Sequence, residues 1–313
     1  MSHKRIALLF SGQGAQTVGM GRDLAAHFPQ AAELFFKADA LLGYPLSKIA
    51  WTGPEEELTQ TRHCQPALYV HGLACLAALR SLTGHFPVHA VAGLSLGEFT
   101  AHAAAGTFDF ATGLRLVAQR GTFMQEACDA TEGGMAAMIG GTEEEVLALA
   151  EGTDVDVANF NSPGQIVLSG KKGHIAEAVA SARESGIRMA KPLNVAGAYH
   201  SRLMQPAAVK LGAVLAEAQF HAPQHKVFCN FEAAPVSDPA DIRRTLEAQV
   251  TGSVRWTHTM ERLVDEEHCD LFLELGPGGI LSGLLGRTRK GVHCLSVFDT
   301  ATLAAAASAI QSA

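Results

Sequence analysis

The chain has no apolar run long enough to cross a bilayer and no long hydrophobic segment near its beginning of the kind that directs export. A cytoplasmic protein that needs no membrane is therefore expected. It also lacks an excess of positive charge: 24 Lys and Arg against 31 Asp and Glu leave a formal charge of −7. Nucleic-acid binding relies on a basic surface, so nucleic acid is not an expected partner, and an anionic ligand would have to meet a local cation. The six cysteines never fall in a C-x-x-C spacing, which points to free thiols. Three of them directly follow a histidine, as His63-Cys64, His268-Cys269 and His293-Cys294, but neighbouring side chains diverge on helix and strand alike, so no metal site is expected. There is no G-K-[ST] phosphate loop. In the stretch Gly12-Gln13-Gly14, Thr17 stands where a dinucleotide fingerprint needs its third glycine.

What is present is a large globular chain of 313 residues, 48% of them hydrophobic, enough for one big domain or a big one carrying an insert. Its most informative stretch is Val91-Ala92-Gly93-Leu94-Ser95-Leu96-Gly97-Glu98. A serine between glycines, where an apolar run gives way to a helix-forming one, suits a sharp strand-to-helix turn that exposes a nucleophilic hydroxyl. The bare pattern G-x-S-x-G also arises by chance in ordinary turns, so the rest of the chain has to decide.

Periodicity predicts α/β organisation: a buried strand over 5–10, helices through Leu42 and over 66–82, a strand over 88–93, and helices over 98–105 and 110–128. Strands over 271–275 and 292–298 follow late in the chain, with a Gly-Pro-Gly-Gly turn and a helix between them, and the Ala-rich end over 301–313 reads as a terminal helix. The middle differs. A strand over 135–140, a helix over 142–151 capped by Thr142 with Glu145 in capping-box register, a strand over 155–161, a turn at Ser162-Pro163-Gly164, a strand over 165–169, a helix over 173–185 and a strand over 187–195 give the order βαββαβ. A ferredoxin-like insert over about 130–198 is expected, between two halves of a larger α/β domain (1–129 and 199–313), with the cleft between them as the default site.

A serine nucleophile needs a base. Among 14 histidines, His200 stands out at the point where the insert rejoins the main domain, just before a helix whose N-terminus would keep the imidazole neutral; a surface histidine at a helix start is the plain alternative. His102 reads as a core residue. The acids between serine and histidine, Asp109, Asp129, Asp154 and Asp156, show no path to His200, so an orienting backbone or amide carbonyl is open. Arg120 breaks the apolar stripe 116/117, 120, 123/124, 127 and should be buried, with either an internal carboxylate or a substrate carboxylate as its partner; Arg115, across the helix, reads as solvated. The backbone of Gly12-Gln13-Gly14, following the first strand, could contribute to an oxyanion hole.

Together these segments resemble the malonyl-CoA:acyl-carrier-protein transacylases and the related acyltransferase domains of polyketide synthases. The resemblance spans nearly the whole chain: Gly12-Gln13-Gly14-Ala15-Gln16, Gly93-Leu94-Ser95-Leu96-Gly97-Glu98, Gln119-Arg120-Gly121 with Phe123-Met124-Gln125, Asn159 to Gln165, Tyr199-His200-Ser201, Gln249 to Trp256, and Glu274-Leu275-Gly276-Pro277-Gly278. It implies an α/β-hydrolase-like domain with a ferredoxin-like insert, Ser95 as acylated nucleophile, His200 as base and the Gln249 main-chain carbonyl orienting it. It further implies the backbone N–H groups of Gln13 and Leu96 as oxyanion hole and Arg120 as the site for the malonyl carboxylate. The implied reaction passes malonyl from malonyl-CoA to the phosphopantetheine thiol of acyl carrier protein by a ping-pong route, releasing coenzyme A, with no cofactor and no metal, in a monomer. A polyketide-synthase transferase sharing this chemistry, an acyl-thioester hydrolase and a silent carrier-binding module are the rivals. Leu94 stands where the family usually has histidine, Ser11 where proline is common, and Tyr199 where malonyl-selective members carry phenylalanine. For the acidic carrier, two basic groups are candidates: Arg287, Arg289 and Lys290, expected to have no acid nearby, and Lys171 with Lys172.

Overall fold

The computed structural model describes residues 4–312; Met1-Ser2-His3 and Ala313 lie outside the described residues. Among the described residues ten strands form two sheets. They are β1 (Ile6–Phe10), β2 (Ala90–Gly93), β3 (Gly133–Ile139), β4 (Asp156–Ser162), β5 (Gln165–Lys171), β6 (Met189–Pro192), β7 (Lys226–Phe228), β8 (Pro235–Val236), β9 (Leu271–Leu275) and β10 (His293–Val297). The larger sheet runs β10-β9-β1-β2-β7-β8, parallel except for the edge strand β8. Its central strand β1 is buried along its whole length. Ile6, Leu8 and Phe10 pack into the core on one face while Ala7 and Leu9 pack into the core on the other. A parallel strand covered on both faces reads as a continuous apolar run, which is why this element was legible in the sequence.

Strand order reverses at β1: the chain leaves it for β2 and β7 on one side and returns to β9 and β10 on the other. Such a reversal opens a crevice at the carboxyl ends of the strands, and both the Gly12-Gln13-Gly14 loop after β1 and Ser95 after β2 lie there.

The smaller sheet is antiparallel, ordered β4-β5-β3-β6, with helices Glu143–Gly152 and Lys172–Ser181 in the order βαββαβ. The capping box is formed: Thr142 Oγ1 accepts from the Glu145 N–H at 3.2 Å, and the Glu145 carboxylate accepts from the Thr142 N–H at 2.8 Å. The strand expected over 187–195 shortens at both ends to β6, Met189–Pro192, and beyond it one bond to the same neighbour remains, from the Leu193 N–H to the Met135 carbonyl at 2.9 Å. Main-chain bonds from Phe160 to the Val254 carbonyl (2.9 Å) and from Val254 to the Ala158 carbonyl (2.8 Å) tie this sheet to the rest of the chain.

Three differences from the sequence reading matter for the site. The helix expected over 66–82 runs Thr61–Thr83 with Pro66 inside it. A proline there removes one N–H, and burial of Thr61, Cys64 and Gln65 draws the preceding turn into the helix. The region between Ala218 and Leu271, where periodicity predicts no element, holds β7, β8 and the helices Pro239–Thr251 and Trp256–Glu261. Finally, Arg289 does have acids beside it: its Nε lies 3.1 Å from Asp265 Oδ2 and its Nη1 3.2 Å from Glu261 Oε1. Those carboxylates are more than twenty residues away in sequence and reach Arg289 only through helix packing. Arg287, Lys171, Lys172 and Lys290 are exposed.

Candidate active site

Ser95 sits between β2 and the helix Leu96–Ala104 with φ 54° and ψ −105°, a conformation a side-chain-bearing residue holds only when its surroundings impose it. The flanking glycines are those surroundings. A Cβ on Gly93 would lie 1.9 Å from the Gly97 carbonyl carbon, and one on Gly97 would lie 2.1 Å from the Phe10 carbonyl oxygen. Strand, turn and helix thus approach backbone to backbone, and the sharp strand-to-helix turn expected at Ser95 is present.

The Ser95 hydroxyl is in contact with two groups remote in sequence. His200 Nε2 is 2.8 Å away and Arg120 Nη2 is 3.0 Å away. His200 Nδ1 lies 2.7 Å from the main-chain carbonyl of Gln249. A carbonyl only accepts, so Nδ1 carries the proton and the neutral ring presents Nε2 to Ser95 as an acceptor. Burial, and then the Arg120 guanidinium beside it, hold the His200 pKa down to about 4. The neutral state expected from helix position is present, but burial and a cation cause it. The four aspartates have other partners: Asp109 caps the helix Phe110–Asp129, Asp129 accepts from Gln125, and Asp154 and Asp156 hold Arg202.

Arg120 is 1% exposed. Its terminal nitrogens donate to Gln65 Oε1 and Gln249 Oε1, both at 2.8 Å, and to Ser95 Oγ, while Nε has no partner. Among the described residues no carboxylate lies within ion-pairing distance of it; its acceptors are neutral. Burial draws its pKa down to about 10, which leaves it charged at neutral pH. A buried cation hydrogen-bonded only to amides and a hydroxyl has the charge and the donors to take an anion.

Ser95, His200 and Gln65 line a cleft of about 480 Å³ that also includes Gln13, Met124, Asn161 and Tyr199, with Leu94 and Ile280 on its apolar side; Arg120 lies behind its floor and reaches it through Ser95 Oγ. Among the described residues, the backbone N–H groups of Gln13 and Leu96 have no protein acceptor. The Tyr199 hydroxyl is 2.7 Å from Thr61 Oγ1. His102 is a core residue bonded to Thr107, as expected. Glu274 is structural: its carboxylate accepts from the N–H groups of Leu281 and Ser282 at 2.9 Å and so caps the helix Ile280–Thr288. Among the described residues no cluster of three metal-ligating side chains occurs.

Three residues at the site escaped the sequence reading. Gln65 falls just before the helix expected over 66–82, and Glu98 looked like an ordinary helix position, although it belongs to the serine motif and, like Arg120, is an ionisable residue on a buried face. Asn230 follows a three-residue strand too short to show a pattern.

A strained serine paired with a neutral imidazole, beside unclaimed backbone N–H groups and at the strand ends of an α/β sheet, defines an acyl-transferring class of protein. The acyl transferase domain family accordingly matches residues 7–304. The malonyl CoA-acyl carrier protein transacylase of Bacillus subtilis (strain 168) is 39% identical over 96% of this chain and 95% of its own. Among solved structures, an acyl-carrier-protein S-malonyltransferase from Bartonella henselae superposes with a TM-score of 0.94 at 37% identity, covering 98% of this chain and 99% of that one. A malonyl-transacylase solved in complex with its type II polyketide-synthase acyl carrier protein superposes at 0.92 with 38% identity, covering 97% and 99%. The chain belongs to the malonyl-CoA:acyl-carrier-protein transacylase family.

Proposed function

We propose that this protein transfers malonyl from malonyl-CoA to the phosphopantetheine thiol of an acyl carrier protein through a malonyl-serine intermediate. The observation that carries the proposal is Arg120: a fully buried guanidinium without a carboxylate partner, bonded to the same hydroxyl that meets His200. An anion carried by the acyl group completes it; an acetyl group does not.

In the first half-reaction Ser95 Oγ attacks the thioester carbonyl as its proton passes to His200 Nε2. The Gln249 carbonyl, 2.7 Å from Nδ1, stabilises the imidazolium that forms. The N–H groups of Gln13 and Leu96 are assigned to the oxyanion. Collapse of the tetrahedral intermediate breaks the C–S bond, and the His200 proton goes to the departing coenzyme A thiolate. The second half reverses these steps with the carrier thiol as nucleophile: His200 takes its proton, the thiolate attacks the malonyl-serine, and Ser95 leaves with the proton. A thioester is exchanged for a thioester, so the chemistry calls for no cofactor or metal.

This reading extends to the architecture, taken as an α/β-hydrolase-like domain (1–129 and 199–313) with a ferredoxin-like insert (130–198); the two sheets and their strand orders support it. A cytoplasmic monomer is part of the same proposal. No described helix is long and apolar enough to cross a membrane. The carrier is assigned to the exposed basic groups, Arg287 with Lys290 and, on the insert, Lys171 with Lys172.

Intact-protein mass spectrometry after brief exposure to malonyl-CoA, followed by phosphopantetheinylated carrier, tests the proposal. A malonyl adduct on Ser95 that moves to the carrier supports it. Free coenzyme A without an adduct means hydrolysis, and neither product means a binding module. Comparing fatty-acid and polyketide carriers in the second step separates the two pathways.

A further inference from the structure

Both halves of the strained Ser95 peptide environment are held by side chains. The Ser95 N–H donates to Asn230 Oδ1 at 2.6 Å, and the Ser95 carbonyl accepts from Gln249 Nε2 at 3.0 Å. Asn230 Nδ2 also donates to the Gly93 carbonyl at 2.7 Å, so it spans the turn on both sides of Leu94. Those two holding residues come from different parts of the chain, a loop after β7 and the helix Pro239–Thr251, and they converge on one atom. Glu98 Oε2 accepts from the Asn230 main-chain N–H at 2.9 Å and from Gln249 Nε2 at 3.1 Å.

Glu98 is completely buried, and its other oxygen, Oε1, has no hydrogen-bond partner. A carboxyl group that leaves half its acceptor capacity unused inside a core is an expensive way to fill space. Its position explains the choice. Gln249 is committed four times over: its main-chain carbonyl meets His200, its Oε1 accepts from Arg120, and its Nε2 meets Ser95 and Glu98. Without an acceptor at Glu98 Oε2, Nε2 loses one of its two anchors and the Asn230 N–H loses its partner.

We propose that Glu98 is a positioning residue, acting through hydrogen-bond acceptance at Oε2 to fix Asn230 and Gln249 and through them the strained Ser95 backbone, the His200 ring and the Arg120 guanidinium. It touches no reacting atom. The inference rests on Ser95 being the residue that is acylated.

Two variants of nearly unchanged volume test it. Glu98→Gln keeps an acceptor oxygen, and Glu98→Met removes it. With folding checked by circular dichroism and rates normalised to the fraction of protein that accepts malonyl, E98Q should stay within about fivefold of wild type. E98M should lose about a hundredfold in kcat, with KM for malonyl-CoA within about threefold, because a misplaced nucleophile slows the chemistry without removing substrate contacts. Equal losses in E98Q and E98M, or an E98M kcat within threefold of wild type, overturn the proposal. Should E98M fail to fold, Glu98→Leu, which also removes the acceptor, decides on the same terms: a lowered kcat at unchanged KM supports the proposal, and an unchanged kcat overturns it. If wild-type protein never carries malonyl on Ser95, the functional reading itself falls; if it does and E98M is unaffected, only the role of Glu98 falls.

Discussion

If Arg120 reads the malonyl carboxylate as proposed, replacing it by alanine should leave little preference between malonyl and acetyl groups. In the wild-type cleft the guanidinium is buried with its Nε unclaimed and with neutral acceptors on its other nitrogens. A malonyl carboxylate bound there would form a buried ion pair. Removing one partner of such a pair strands the other and costs about 3–5 kcal/mol, or about two to four powers of ten in kcat/KM. Acetyl has no charge to strand, and it no longer has to share the pocket with an uncompensated cation. Arg120 also donates to Ser95 Oγ, and its loss leaves Gln65 Oε1 and Gln249 Oε1 without a donor. Those losses slow both substrates alike, so they cancel in the ratio of the two kcat/KM values. The assay is direct competition: limiting protein, equimolar malonyl-CoA and acetyl-CoA, and intact mass to count the two adducts. The malonyl-to-acetyl ratio should fall by a hundredfold or more. A ratio within threefold of wild type would mean that Arg120 serves the serine alone and does not read the carboxylate.

Other consequences follow from the same geometry. Because the His200 pKa is held to about 4, about 90% of the rings remain able to accept a proton at pH 5, against about 3% for a histidine at its ordinary value. Malonylation rates should therefore fall through an acid limb centred near pH 4, and a limb between pH 6 and 7 would show that the ring is solvated in the working enzyme. Gly97→Ala would place a Cβ 2.1 Å from the Phe10 carbonyl oxygen, with backbone on both sides and nothing to give. A loss of about 3 kcal/mol or more is expected, seen as a drop in Tm of at least about 5 °C or as insoluble protein; an unchanged melting curve would contradict the close approach. Charge reversal at Lys171, Lys172 and Arg287 together should slow transfer to the carrier at low salt while leaving malonylation by malonyl-CoA intact. Arg289→Glu should not slow that step, because Asp265 and Glu261 already occupy its charge. Stopped-flow separation of the two half-reactions distinguishes these variants.

The parts of this protein that the sequence made legible are those whose cause is local. The buried strand β1, the capping box at Thr142 and Glu145, the βαββαβ order and the serine turn are each written in a few consecutive residues, through alternation, a cap or a pair of glycines that no other residue can replace. Arg120 was legible as an anomaly, a charge on an apolar stripe. Other readings needed the assembled chain. Arg289 looked unpaired because its carboxylates come from a helical segment more than twenty residues away, and the strand at 187–195 is shorter at both ends because its length depends on how far it pairs with β3.

By itself, then, the sequence determined the layers, the nucleophile turn and the presence of a buried cation, because turn sterics and hydrophobic periodicity act over one or two turns of chain. Only the tertiary structure decided what that machinery amounts to. It brought a carbonyl at Gln249 to His200 across 49 residues, an amide at Gln65 to Arg120 across 55, and Asn230 to the Ser95 peptide across 135. It also set the charge states, since His200 is neutral and Arg120 receptive only once burial has removed water from both and placed one beside the other. Burial and long-range hydrogen bonds are properties of the packed interior, and no window of sequence contains them.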